Sequence, residues 1–440
     1  MLPEGTLPAS LQVLLACFQP CFTAPSFRTF CAMACGFWAQ TGRRTVCGML
    51  AGAGLARAWP HDRAHYFFSR AHWQPADLGL ALARLAVTLL VPDGELVRVA
   101  IDDTLFRRRG RKVWAASWFH DGSAAGKDKA GYGNNWVIGG IVVTLPFCSR
   151  PVCLPVLARL VVKGTNSKSR LWLARRMTED LAAALPGRTI CVVADAAYAG
   201  KELRELPATV TWTARLRKDA ALHELPPPRT GRRGRPRVKG ARLPALAALA
   251  RTAAFTPVTV TRYRKTAIVQ AAAVTCLWYS AFGSRPVQVV LVRDRARAGY
   301  DIALVTTSLD ATPAQIIERY AARWSVEVAI EDAKQLFGAG QARNRTARAV
   351  RAVRATVPFA LTCQTLAMIW YATAGHDPAD VDEHRARAPW YATKAEPSTA
   401  DMTAKLRRVL IAAKYRPSRA DQPTPAEIST IRLAWETPAA

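Results

Sequence analysis

Two short apolar runs, each followed directly by aspartate, place the strongest constraint on the fold of this chain. Residues 97–101 precede Asp102 and Asp103, and residues 190–194 precede Asp195. Mostly apolar runs of this length are typical of strands buried in a covered sheet. An unpaired carboxylate beside such a strand costs free energy, so we expect these aspartates to have partners, for example a metal ion. The alternative is that they cap the turns that follow the strands.

A third carboxylate lies on a strongly helical stretch further along the chain. In residues 316–334, Tyr320, Arg323, Glu327 and Lys334 recur at helical spacing. At 100° per residue they fall within a sector about 60° wide, which predicts one helix face carrying a carboxylate, two cations and a phenol. Alternatively, Glu327 is a solvated helix residue paired with Arg323.

The charge of the chain indicates the kind of partner on which such carboxylates act. Its 61 Lys and Arg residues against 32 Asp and Glu give a net charge of +29. An excess of this size favours a polyanion such as DNA, although an Arg-rich composition from a GC-rich genome is the alternative source. Carboxylates on separate elements are typical ligands of Mg²⁺, so the combination predicts metal-dependent chemistry on DNA phosphates.

In the first half of the chain, predicted helices are followed by predicted strands. Residues 1–92 show helical spacing throughout and are predicted to form a helical N-terminal domain that binds DNA. Within them, 45–59 has the pattern of a helix, a glycine-containing turn and a second helix, compatible with a helix-turn-helix reader or with any small bundle. In residues 93–216, strands come first and then alternate with helices, which predicts an α/β sheet covered on both faces.

The second half begins with an interruption of that sheet. Residues 217–300 hold a basic arm and three β-rich runs, and 301–345 returns to a core strand followed by the helix with Glu327. Residues 346–440 are predicted to be helical. Their apolar stretch 357–374 is interrupted by polar residues and proline, so we expect a buried helix and no membrane span.

The basic arm is a second candidate for contact with DNA. Residues 229–242 contain seven cations and no acid, and their centre, Arg233-Gly-Arg235-Pro-Arg237, resembles an AT-hook. Such a turn can lie in the narrow minor groove of A·T-rich DNA. General phosphate contact and a solvated loop are the other two interpretations.

The ten cysteines are expected to be reduced thiols of a cytoplasmic protein, located with the nucleoid, because no secretory pattern accompanies them. Four of them form i, i+4 pairs, Cys17 with Cys21 and Cys31 with Cys35. These spacings favour buried helical cysteines over zinc ligands. His61 and His65 are interpreted as surface residues or DNA contacts.

The helical motif resembles the Y-x2-R-x3-E-x6-K signature of one group of insertion-sequence DDE transposases. Tyr320, Arg323, Glu327 and Lys334 fit it without a gap, and Trp324 follows the arginine as the group has it. The resemblance implies that Tyr320, Arg323, Lys334 and Trp324 contact DNA beside the cut, with arginine as a bidentate fork and lysine as a point charge.

The two aspartate strands add to the resemblance. Asp102-Asp103-Thr104 resembles the Asp-x-Thr element of the group, and the strand that ends at Asp195 resembles its second aspartate strand. The resemblance implies that Asp102, Asp195 and Glu327 bind Mg²⁺ or Mn²⁺. Asp103 is the alternative to Asp102, and strand alternation excludes the use of both.

By resemblance, the fold is an α/β ribonuclease H-like catalytic core with a β-rich insertion. An all-helical N-terminal domain precedes this core, and a helical C-terminal region follows it. The implied function is a transposase that cleaves the terminal inverted repeats of its insertion sequence, through a hairpin, and joins the ends to target DNA by a two-metal mechanism. The implied assembly is a dimer or higher oligomer on double-stranded DNA.

Two other functions remain open at the level of sequence. One is a catalytically inactive or domesticated DNA-binding protein, and the other is a metal-dependent nuclease without strand transfer. The complete set of signature residues argues against the first of these.

Overall fold

A computed structural model shows how these segments fold. The described residues are 7–110, 112–122, 124, 127–164, 168–228, 236–262, 265–294, 299–342 and 349–414.

Between residues 7 and 92, the described chain folds into five α-helices and one short 3-10 turn at Gln19–Cys21, as the helical spacing predicts. The α-helices are α1 (Ala9–Ala16), α2 (Ala24–Ala39), α3 (Val46–Gly52), α4 (His61–Ser69) and α5 (Pro75–Leu90). Proline in the first turn of α2 and α5 suits a helix start, because the N–H that it lacks would have no partner there. Of the helix, turn and second helix predicted within 45–59, the structure has α3 and then turns up to α4, with Gly54 at φ of 72°. A DNA-reading role of this turn stays a prediction.

Ten strands of the described residues form one mixed sheet. They are β1 (Val97–Arg107), β2 (Ser117–His120), β3 (Ala130–Val143), β4 (Val152–Leu160), β5 (Ile190–Ala194), β6 (Val210–Arg215), β7 (Thr256–Arg262), β8 (Lys265–Leu277), β9 (Pro286–Arg293) and β10 (Ile302–Thr306). The strand order is β2-β3-β1-β5-β6-β10-β9-β8-β7, and β4 also pairs with β3. Strands β1, β5 and β6 are parallel, whereas β3 is antiparallel to β1 and β4. The predicted α/β sheet is confirmed.

Strand β4 was not predicted from the sequence. It contains Pro155, a residue that normally argues against a strand inside a sheet. The register between β3 and β4 shifts between Gly139 and Gly140, and Pro155 pairs with Gly140 at this irregularity. The irregularity accommodates the proline without ending the strand.

The helices of the middle and end of the described chain pack on this sheet and on each other. They are α6 (Arg170–Ala184), α7 (Leu246–Thr252), α8 (Tyr279–Phe282), α9 (Pro313–Ala322), α10 (Trp324–Gln335), α11 (Val350–Trp370), α12 (Ala379–Arg387) and α13 (Thr399–Lys414). The three β-rich runs of 217–300 are observed as β7, β8 and β9, which extend the sheet beyond β10.

The predicted single helix over 316–334 is wrong, because the structure has two helices that meet at Arg323. Backbone dihedrals at Arg323 are still helical, with φ of −54° and ψ of −35°. The hydroxyl of Ser325 donates to the carbonyl of Ala322 at 2.7 Å. The N–H of Val326, which would bond that carbonyl in a continuous helix, donates to the carbonyl oxygen of Arg323 instead. The backbone hydrogen bonds of the helix are therefore interrupted at this point, although the backbone dihedrals remain helical.

Helix α11 is the core helix of the C-terminal region. It continues into one π-helical turn at Tyr371–Gly375. Of its most apolar 18-residue stretch, 89% is buried inside the protein. By length and composition it is the one helix of the described residues that reaches the size of a membrane span. The prediction of a buried helix is confirmed.

Candidate functional site

The strands that precede the two aspartates are neighbours in the sheet. Strands β1 and β5 are parallel, and Ile101 pairs with Ala194. The residues directly after this pair are Asp102 and Asp195. Side chains in register on parallel strands point to the same face, about 5 Å apart. The register therefore brings Asp102, in the middle of β1, to the level at which β5 ends and Asp195 follows. The cap interpretation also holds for Asp195, whose side chain accepts a hydrogen bond from the N–H of Ala196.

The junction between α9 and α10 brings a third carboxylate to Asp102. The Arg323 Nη1 atom lies 3.3 Å from Asp102 Oδ2, and its Nη2 atom donates to Glu327 Oε1 at 2.6 Å. The Arg323 side chain is only 13% exposed. One buried guanidinium therefore joins a strand aspartate to a helix glutamate.

Burial makes the Asp102 carboxylate a high-energy anion. The pKa of Asp102 is raised to about 6, mainly by burial; the N–H bond from Asp103 and the charge of Arg323 oppose this rise, and the charges of Asp103 and Glu327 add to it. For Arg323, burial acts to lower the pKa, but the hydrogen bond to Glu327 and the nearby negative charges outweigh it, so the pKa is raised. The group of carboxylates around Asp102 therefore favours an additional positive charge beside it.

The donor atoms around Asp102 suit a hard divalent cation. Asp102, Asp195 and Glu327 supply only carboxylate oxygens, the donors that Mg²⁺ and Mn²⁺ prefer. As a set of three, their oxygens do not lie within 4.8 Å of one another, and Arg323 lies between two of them. The residue types therefore fit a metal, provided that the guanidinium releases at least one carboxylate.

Tyr320 lies on the same side of the sheet as these carboxylates. Burial raises the pKa of the Tyr320 phenol, the charge of Asp195 raises it further, and Arg323 opposes the shift. The guanidinium carbon of Arg323 lies 5.7 Å from the centre of the Tyr320 ring. Trp324, the next residue, is 51% exposed. The two aromatic rings therefore differ, since one borders the carboxylates and the other faces solvent.

Lys334 is separated from this group along the direction of β1. Its Nζ atom lies 6.0 Å from the ring centre of Phe106, four residues beyond Asp102 on the same strand. Helix α10 therefore runs along β1 from Glu327 towards Lys334. Of the four predicted residues on the helix face, the structure brings Tyr320, Arg323 and Glu327 together and leaves Lys334 at the far end.

Asp103 points away from this group. Its carboxylate accepts hydrogen bonds from Tyr198 and Asn135, each at 3.0 Å, and pairs with Arg170 Nε at 3.1 Å. The two consecutive aspartates therefore have separate surroundings, as strand alternation predicts. Asn135 and Arg170 were not predicted to take part. The available signal for Asn135 was the pair of adjacent asparagines, 134 and 135, before a run of apolar residues and glycines; both asparagines are buried.

The basic arm lies largely outside the described residues. Arg233 and Arg235 are not among them, whereas Arg237 is exposed. Minor-groove binding, phosphate contact and a solvated loop therefore all stay open for this segment.

Comparison with known proteins agrees with a nuclease core. A family model described as "DDE superfamily endonuclease" matches residues 17–285, more than half of the 440-residue chain. This span includes both aspartate strands and ends before Glu327. No curated protein sequence matches the chain. A chain from the cryo-EM structure of a piggyBac transposase synaptic complex with hairpin DNA is similar at 10% identity and a TM-score of 0.42, over 94% of this chain and 76% of that one. By the family match, the chain belongs to the DDE superfamily endonucleases.

Proposed function

We propose that this protein is a DNA transposase that cleaves the ends of its insertion sequence and joins them to target DNA. The observation that carries the proposal is the shared ion pair of Arg323 with Asp102 and Glu327. It couples a carboxylate of the sheet to one of the helix, 225 positions later in the sequence. The pairing of Arg323 with Glu327 is also what the alternative interpretation predicts, but the same guanidinium reaches Asp102, a partly buried carboxylate of the sheet.

The strand order supports a ribonuclease H-like core for this activity. Strands β4, β3 and β1 form an antiparallel meander, and the parallel strands β5 and β6 continue the sheet. This order places the two aspartate strands next to each other inside the sheet, third and fourth in the strand order. Ligands of open α/β sheets are typically bound at the carboxyl ends of such strands.

In this proposal, Asp102, Asp195 and Glu327 hold the divalent metal, Mg²⁺ or Mn²⁺. When bound, a metal pair activates the attacking oxygen and neutralises charge on the phosphate. Arg323 has two uses. It neutralises Asp102 and Glu327 when no other cation does so, and once it leaves a carboxylate its planar fork can bind a DNA phosphate. Asp102 is preferred to Asp103 because it faces Glu327.

The remaining contacts are assigned to DNA on both sides of the cut. Tyr320 borders the carboxylates, the exposed ring of Trp324 can stack on a base, and Lys334 adds a charge further along the groove. The net charge of +29 supports binding to double-stranded DNA by counterion release. We further propose a dimer or higher oligomer on paired ends, in a cytoplasmic protein located with the nucleoid.

A cleavage assay on the DNA that flanks the gene tests the proposal. The purified chain is incubated with both flanks and a target plasmid, with and without Mg²⁺. We expect metal-dependent cuts at the terminal repeats and joined products. Glu327→Gln should lower cleavage by more than about 100-fold, because a metal ligand is lost, while gel shifts show unchanged DNA binding.

Glu331→Gln is the matched control, because Glu331 is an exposed glutamate one turn later on the same helix. It should cleave at the wild-type rate. Cleavage without joined products would identify a nuclease, and binding without any cleavage by the wild type would identify an inactive DNA-binding protein. Unchanged cleavage by Glu327→Gln would overturn the proposed site.

A further inference from the structure

A cysteine and two histidines meet at the surface formed by α3 and α4, far from the carboxylates in sequence. Cys47 lies in the first turn of α3, and His61 and His65 lie one turn apart on α4. One potential ligand atom of each lies within 4.8 Å of the others, and all three residues are exposed. This is the one such group of three found among the described residues.

The sulfur–nitrogen distance within this group is close to that of a tetrahedral zinc site. Cys47 Sγ lies 3.7 Å from His65 Nε2, and the two imidazole rings have their centres 4.4 Å apart. Bonds of about 2.3 Å from zinc to sulfur and about 2.0 Å to nitrogen, at a tetrahedral angle, separate the two ligand atoms by about 3.5 Å. The helices therefore already hold sulfur and nitrogen close to the spacing that a metal requires.

A carboxylate next to the group orients one of the histidines. Asp62 Oδ1 lies 3.0 Å from His61 Nδ1. When Nδ1 carries the proton and donates it to Asp62, the lone pair of His61 is on Nε2. Histidines that bind metals commonly donate their other ring N–H to a carboxylate in this manner. In that tautomer, Asp62 would position His61 for a metal.

We propose that Cys47, His61 and His65 bind one zinc-class transition metal ion, with the fourth coordination position open to solvent. The Cys47 thiol loses its proton to solvent when the metal–sulfur bond forms. Thiolate and imidazole ligands select Zn²⁺ over Mg²⁺, so this site is chemically distinct from the all-oxygen carboxylates. The ion would fasten α3 to α4 across the turn that contains Gly54.

The spacing explains why the sequence alone did not indicate this site. His61 and His65 have the i, i+4 spacing of a metal-binding helix, but the third ligand lies 14 residues before His61, without a second cysteine nearby. The turn between α3 and α4 determines whether Cys47 faces the histidines. That turn is a feature of the fold.

Cobalt substitution of the 440-residue chain tests the proposal. The protein is stripped with a chelator and titrated with Co²⁺, which gives a thiolate charge-transfer band and intense visible bands only when it is tetrahedral with a sulfur ligand. Co²⁺ bound by the carboxylates has no sulfur ligand, so it gives no such band. We expect one thiolate-bound Co²⁺ per chain, displaced by Zn²⁺.

Cys47→Ser and His65→Ala should abolish this spectrum. Cys17→Ser and His72→Ala are the matched controls, because both residues are exposed and lie outside the group, and they should retain it. Zn²⁺ should also raise the Tm of the wild type and of the controls, but not that of Cys47→Ser. Absence of the thiolate band in the wild type, or its persistence in Cys47→Ser, would overturn the site.

Discussion

At the scale of single residues, two adjacent aspartates in one strand have different physical roles. Asp102 faces Arg323 and Glu327, and burial disfavours its charged form. Asp103 faces the opposite side, where Tyr198 and Asn135 donate hydrogen bonds to it and Arg170 forms an ion pair with it. The first has too few partners for a buried anion and is suited to a cation. Asp103 has enough hydrogen-bonding and charged partners to serve a structural role.

Substitution of each aspartate by asparagine should separate these roles. We expect Asp102→Asn to abolish metal-dependent cleavage with little loss of stability, because a neutral amide suits a position that disfavours charge. Asp103→Asn should lose about 1–3 kcal/mol of unfolding free energy, because it weakens charge-assisted hydrogen bonds, and should keep measurable cleavage. Urea denaturation and the cleavage assay measure the two effects. The assignment is wrong if Asp103→Asn eliminates cleavage in a stably folded protein while Asp102→Asn remains active.

The separation of the two aspartates was predictable from the sequence, whereas the choice between them was not. Alternation along a strand requires Asp102 and Asp103 to face opposite sides. Which side carries Glu327 depends on the helix that crosses β1, and the register of β1 with β5 decides which aspartate meets Asp195. Both are tertiary facts that no local pattern contains.

At the scale of elements, close backbone contact between α2 and α3 shapes the N-terminal helices. A Cβ atom added to Gly36 of α2 would lie 1.7 Å from the carbonyl oxygen of Met49 in α3. A Cβ added to Gly52 would likewise lie 2.5 Å from the Gly36 carbonyl oxygen. The two helices cross at glycines because no side chain fits between their backbones.

Gly36→Ala should therefore destabilise the protein by at least about 2 kcal/mol, since backbone atoms cannot yield as the end of a flexible side chain can. Gly42→Ala is the matched control, because an added Cβ there meets nothing within 4 Å. The midpoints of urea unfolding measure both effects. Equal midpoints for the two variants would show that the helices do not pack this closely in solution.

Helix periodicity predicts the path of α9 and α10 better than it predicts their hydrogen bonds. Arg323 keeps helical dihedrals, so the residues on either side continue the 3.6-residue pattern. The break arises from the Ser325 hydroxyl, which takes the carbonyl of Ala322. Serine occurs in many unbroken helices, so its presence alone did not reveal the interruption.

At the scale of the whole molecule, the helical and strand-rich parts share one hydrophobic core. Buried residues of α2, α5, α11 and the sheet belong to a single cluster, and the Trp38 indole donates to the Cys363 carbonyl at 2.9 Å. Changes in residue pattern along the sequence indicated the helical and β-rich segments. They did not indicate that helices from both ends of the chain pack together, because this depends on contacts more than 300 residues apart.

The net charge of +29 makes a prediction about the whole surface. Affinity for DNA should fall steeply with salt, because each neutralised phosphate releases counterions. For roughly 6–10 phosphate contacts, the loss between 50 and 200 mM salt is about 10³–10⁵-fold. Glu327→Gln should give the same slope of log affinity against log salt, since it changes the carboxylate group and no phosphate contact.

Arg237→Ala should reduce the slope by about one if the arm binds a phosphate. An affinity insensitive to salt would mean that the cations of this chain serve another purpose, and an unchanged slope for Arg237→Ala would assign the exposed end of the arm to solvent.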